Sequence, residues 1–125
     1  MPDVATPFVG FAEEFRALGQ PVIQPERFAD ALNLQLQDLA KLAGVHRTTV
    51  TETPGNARLQ GFLREAVRAL SAAYEVTRDR DRSIFWFRNT PIPEFGHRMA
   101  ETIVAEGKTD AVIAYLTSIA AGSSG

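Results

Sequence analysis

Leu39-Ala40-Lys41-Leu42-Ala43-Gly44-Val45-His46-Arg47-Thr48-Thr49-Val50 is the stretch whose reading decides the fold. Leu39, Ala40 and Leu42 recur at helical spacing, so residues 37–43 are expected to form a short helix with those side chains inward. Gly44 then offers the left-handed backbone that a tight turn demands, and Val45 fills the corner. A second helix is expected from His46 to about Glu52, stopped by Pro54-Gly55. Ala40 is small enough to let the two helices approach, and the Gly44-Val45 pair sets the angle at which the second projects. This is the spacing of a helix-turn-helix of the kind that contacts DNA. The second helix would present His46, Arg47, Thr48, Thr49 and Thr51, all able to bond phosphate oxygens or base edges, with Lys41 added from the first helix. The same geometry also serves plain helical packing, so a purely structural role is the competing reading.

Working outward, the Pro and Gln of Gln24-Pro25-Glu26 open a preceding helix with Phe28, Ala31 and Leu32 on one face, expected to end near Leu34. Residues 1–24 read as an N-terminal arm with a short apolar patch, Phe8-Val9-Gly10-Phe11, followed by Phe15 and Leu18. That patch either covers part of the core or serves a partner or a swapped dimer. Downstream, Leu59, Phe62, Leu63, Ala66, Val67, Leu70, Ala73 and Tyr74 recur every three or four residues, the clearest amphipathic helix in the chain. Its other face carries Arg58, Arg64, Glu65 and Arg68, which read as a solvated surface; contact of Arg58 or Arg64 with a DNA phosphate is the alternative. Thr77 to Arg82 alternates charge in an exposed turn, with Asp79 or Asp81 expected to cap the next helix.

Ile84-Phe85-Trp86-Phe87 crowds three aromatic rings into four residues, more than one helical face buries, so one ring is expected to face a second surface. Pro91 and Pro93 force an extended loop over Asn89-Thr90-Pro91-Ile92-Pro93. A short helix, Ala100 to Glu106, then ends at Gly107. Thr109-Asp110 is expected to cap a last helix bearing Val112, Ile113, Leu116 and Ile119, with Gly122 stopping it. The chain therefore divides into an arm (1–24), a helix-turn-helix region (25–57) and a C-terminal helical region (58–125), an all-α fold.

Composition narrows the function. The 125 residues are 45% hydrophobic and 22% charged, the balance of one ordinary packed domain. The absence of cysteine removes disulfides and thiolate metal sites, and His46 and His97 lack the paired spacing of a metal motif. No secretory leader or run of eighteen apolar residues occurs, so a cytoplasmic location without membrane association is expected. The net charge of −2 is unevenly placed: residues 38–98 hold ten basic and seven acidic side chains, while both flanks are acidic. So small an excess implies weak DNA binding by a lone monomer, and a dimer or partner is expected. Neither a Gly-x-Ser-x-Gly elbow nor a phosphate-cradling glycine loop is present, and no enzymatic activity or cofactor is expected.

The C-terminal half, with Phe85-Trp86-Phe87, Asn89-Thr90-Pro91-Ile92-Pro93, Phe95-Gly96, a helix to Gly107 and a terminal helix to Gly122, resembles the toxin-binding domain of the Xre/MbcA/ParS antitoxins. The resemblance covers roughly Arg58 to Gly122. It implies an antitoxin that covers the active-site cleft of a NAD-degrading RES-domain toxin and represses its own operon through DNA binding, as a homodimer within a hetero-oligomeric complex. It also implies toxin contact at Trp86, Arg98, Lys108, Tyr115, Ser118, Gly122, Ser123, Ser124 and Gly125, with a core position the competing reading for Trp86. The chain departs from the family pattern at His97, where many members have a second glycine, and at Ala100, where a proline opens the helix. A stand-alone transcription regulator with a C-terminal dimerisation or ligand domain is the alternative.

Overall fold

A computed structural model describes residues 7–123. Among them the regular structure is helical: α1 (Phe11–Phe15), α2 (Pro25–Leu32), α3 (Leu36–Ala43), α4 (Arg47–Glu52), α5 (Ala57–Thr77), α6 (Arg80–Asn89), α7 (Ala100–Ala105) and α8 (Thr109–Ser123), with a 3-10 turn at Pro93–Phe95. Two isolated antiparallel bridges, Arg16 with Ile23 and Ile92 with Arg98, are the extended pairings in this described region. The fold is all-α.

The organising element is α5. Its apolar period buries Leu59, Phe62, Leu63, Ala66, Ala69, Leu70 and Ala73, and the alanines along this stripe let neighbouring helices approach closely. Against it pack α1, α3, α6, α7 and α8. One hydrophobic core runs from Phe11 to Leu116, so α2–α4 and the helices from α5 onward share a single interior. Asn56 starts α5 by accepting a 3.0 Å bond from the Leu59 amide, and the Asp79 carboxylate caps α6 in the same way from Arg82 at 2.9 Å.

The segment expected to be an arm is part of that core over its described residues. Phe11 and Phe15 are buried, and a train of rings runs Phe8–Phe11–Phe15–Phe28–Phe62 with centroids 4.9, 5.9, 5.4 and 6.2 Å apart. Arg80 Nε donates to Glu14 at 2.7 Å, tying α1 to the start of α6. Gln60, 6% exposed, fixes the rest: its carbonyl accepts from the Ile23 amide at 3.0 Å, and its amide nitrogen donates to the carbonyls of Ile23 (2.7 Å) and Pro54 (2.8 Å). One buried amide therefore holds both the N-terminal segment and the turn that follows α4.

Three boundaries differ from expectation. α2 ends at Leu32, because Asn33 turns left-handed (φ 54°) and the Leu34 amide bonds back to the Ala29 carbonyl at 2.8 Å. Thr109 does not cap α8. The Lys108 carbonyl accepts from Ala111 and Val112, while the Thr109 hydroxyl is buried without a hydrogen-bond partner. Gly122 does not stop α8, which continues to Ser123; a glycine in the last turn costs helix stability of about 1 kcal/mol without forcing an end.

Candidate functional site

Two exposed surfaces of unlike chemistry stand on this core. The first is the α3–α4 pair. The Val45 amide donates to the Ala40 carbonyl at 3.0 Å and the Gly44 amide to Lys41 at 3.2 Å, a Schellman closure that requires Gly44 at φ +72°. Three residues, Gly44 to His46, thus separate the helices. Val50 anchors α4 to the core, leaving His46, Arg47, Thr48 and Thr51 exposed. Thr49 is half-buried rather than displayed, since it stands one residue before Val50 on the side turned towards the body. The Thr51 hydroxyl donates to the Thr48 carbonyl at 3.2 Å. Lys41 is exposed on α3, and among the described residues neither it nor Arg47 is engaged in an ion pair. Arg47 also lines an open groove of about 530 Å³ between α2 and α3, facing Glu26, Asp30, Gln35 and Gln37.

The second surface is built by α6, the proline loop and α8. Of the crowded aromatics, Phe87 is buried, Trp86 is half-buried against the core, and Phe85, which sequence reasoning did not single out, is the ring that faces outward, 62% exposed. Ile92 pins the loop to the core, and its amide bonds to the Arg98 carbonyl at 3.0 Å. Gly96 (φ 70°) and His97 (φ 61°) make the reversal between them, so His97 holds a backbone conformation that glycine adopts more readily. His97 is exposed.

Arg98 is not a free cation: its Nε donates to the Phe95 carbonyl at 3.1 Å and its guanidinium pairs with Glu106. Lys108, 63% exposed in its side chain, stands 3.9 Å from the same carboxylate. Tyr115 is half-buried, its ring centroid 6.1 Å from that of Phe95, and burial, helped by the charge of Glu94, pushes its phenol above the usual value.

Beyond Asp110, no described residue of α8 is charged. Only Val112 and Leu116 of that stretch are buried, while Thr117, Ser118, Ile119 and Gly122 are exposed. A surface helix ordinarily turns a charged face to water; this one has none over its last three turns. Ser123 closes α8, and Ser124 and Gly125, expected to contact a toxin, lie outside the described residues. Phe95 was quoted for its place in the motif but not as a surface residue, because its role depends on meeting Tyr115 twenty residues later. Gln60 was missed because nothing in a helical sequence distinguishes a buried glutamine from a solvated one.

No three His, Asp or Glu side chains among the described residues gather as a metal site would need, and no helix there is long and apolar enough to cross a membrane. The fold is thus an all-α protein with a polar face at α3–α4, where Lys41 and Arg47 are exposed, and a terminal helix whose last turns expose no charged side chain. Comparison with models of known families, with curated proteins and with solved structures yields no match.

Proposed function

We propose that the chain is the antitoxin of a type II toxin–antitoxin pair, acting in the cytoplasm, that neutralises a NAD-degrading RES-domain toxin by covering its active-site cleft and represses its own operon through α3–α4. The observation that carries the reading is the charge-free, exposed end of α8 beside the Phe95–Tyr115 ring pair. Such a surface gains by being covered, and the rigid loop and helix that present it lose little entropy when bound. Trp86 lies on α6, Tyr115, Ser118 and Gly122 on α8, and Lys108 immediately before α8; Arg98 contributes by holding the loop through Phe95 and Glu106. No catalytic group is required of this chain, because occlusion alone silences the toxin.

Co-expression with the adjacent toxin gene tests the reading. Wild type is expected to relieve growth arrest, and Ser118→Arg with Ile119→Asp to abolish relief while leaving the buried Val112 and Leu116 in place. Full protection by a double variant that folds normally would overturn the assignment of α8. The exposed face of α4 favours a second reading, a stand-alone regulator; absence of a neighbouring toxin gene combined with operator binding by the chain alone would select it.

A further inference from the structure

Arg58 occupies a position that neither the α3–α4 pair nor the α8 surface accounts for. It sits in the first turn of α5, is exposed, and folds back across the turn between α3 and α4: a methyl group built on Gly44 would stand 3.3 Å from its Nη1 and 3.7 Å from its Cδ. Arg64, the other arginine on the outer face of this helix, makes no such approach to the turn.

Among the described residues Arg68, Arg78, Arg80, Arg88, Arg98 and Lys108 each pair with a carboxylate, whereas Arg58, like Arg16, Arg27, Lys41, Arg47, Arg64 and Arg82, is engaged in none. Of these, Lys41 in the last turn of α3, Arg47 at the start of α4 and Arg58 in the first turn of α5 stand on the helix ends next to the α3–α4 turn, and Arg58 is the one that reaches across it. A cation already paired releases little when it meets a phosphate, whereas an unpaired one displaces a condensed counterion and adds its full share to the salt dependence of binding. The Asn56 side chain, moreover, caps only the Leu59 amide, so it does not compete for the Arg58 guanidinium.

We infer that Arg58 is a DNA-backbone anchor, clamping a phosphate of duplex DNA from across the α3–α4 turn and fixing how α4 seats in the groove. This rests on the DNA-binding part of the proposed function and extends its interface to α5. As a phosphate contact it positions without reading sequence, so its loss should weaken binding to every duplex alike, whereas Arg47 and Thr48 on α4 carry preference among sequences.

The test is a salt titration of binding by the full chain, alone and copurified with its toxin. The probes are a 30-base-pair duplex taken from upstream of its gene and a scrambled duplex of equal length. Arg58→Met keeps the aliphatic stem over the turn and removes the charge; Arg58→Lys restores it. Expected is a slope of log affinity against log salt that falls by about 0.9 in Arg58→Met, with the ratio of the two probes unchanged and the slope regained in Arg58→Lys. An unchanged slope in Arg58→Met, with wild type binding normally, overturns the anchor alone. Binding by neither wild type nor its complex overturns the DNA reading and the anchor with it. Equal unfolding midpoints, read from the single tryptophan Trp86, verify that the variants compare folded proteins.

Discussion

Replacing Arg88 by methionine is expected to cost about 2–3 kcal/mol of stability. Its guanidinium, 24% exposed, donates from Nε to Glu101 of α7 at 2.9 Å and from Nη1 to the carbonyls of Leu32 (3.0 Å) and Asn33 (3.2 Å) at the end of α2. One side chain thus joins the end of α2 to α6 and α7, and it satisfies carbonyls that a helix C-terminus leaves without partners. Methionine keeps the volume but strands the Glu101 carboxylate, 14% exposed, without its cation. Breaking a fully buried pair from one side costs about 3–5 kcal/mol, and the residual solvation of both groups here lowers that to the figure given. At about 4 °C per kcal/mol for a domain of this length, Tm falls by roughly 8–12 °C. Urea unfolding followed by Trp86 fluorescence and by circular dichroism measures the loss. Adding Glu101→Gln to Arg88→Met should recover about half of it, because the stranded charge is then gone. A loss below about 0.5 kcal/mol, or a double variant weaker than Arg88→Met, would refute the view that this pair joins these helices.

Gly44→Ala should destabilise by about 1–2 kcal/mol, since alanine resists φ +72° and its methyl crowds Arg58; Gly61→Ala, inside α5 with open space at its Cβ, should instead be neutral or stabilising in the same urea titration. His97→Val should cost about 1–2 kcal/mol and His97→Gly nothing, because position 97 is held at φ 61°; equal unfolding midpoints for the two would show that the reversal tolerates any residue. The Tyr115 phenol is raised in the folded chain, so its contribution is fully present below about pH 10 and is lost as pH climbs through its folded value, the unfolded chain releasing the proton first. Alkaline unfolding of Tyr115→Phe should lack that part of the pH slope.

Residues whose structure is dictated locally were legible. Twenty-one residues of unbroken helical period made α5 readable, and Gly44, Pro54-Gly55 and Asp79 marked the end of α3, the stop after α4 and the start of α6. What escaped depends on partners distant in sequence. α1 is five residues long, too short to show a period, and exists because Phe11 and Phe15 meet Phe28 and Tyr74. Thr109 looks like a cap, yet its hydroxyl is turned into the interior where Lys108 already starts the helix. At the surfaces, the exposed side of α4 could be read from Val50, and the surplus aromatic at 84–87 from crowding alone. That Arg98 is bound to Glu106, that Phe95 meets Tyr115, and that Arg58 leans over Gly44 are facts of three-dimensional placement that no spacing in the chain encodes.

The proposed antitoxin role is tested most directly by measuring NAD consumption by the product of the neighbouring gene, titrated with this chain. Turnover should fall to background as the chain reaches its stoichiometric ratio, and Ser118→Arg with Ile119→Asp should restore it without lowering the unfolding midpoint. Undiminished NAD consumption at saturating wild-type chain would contradict the antitoxin assignment.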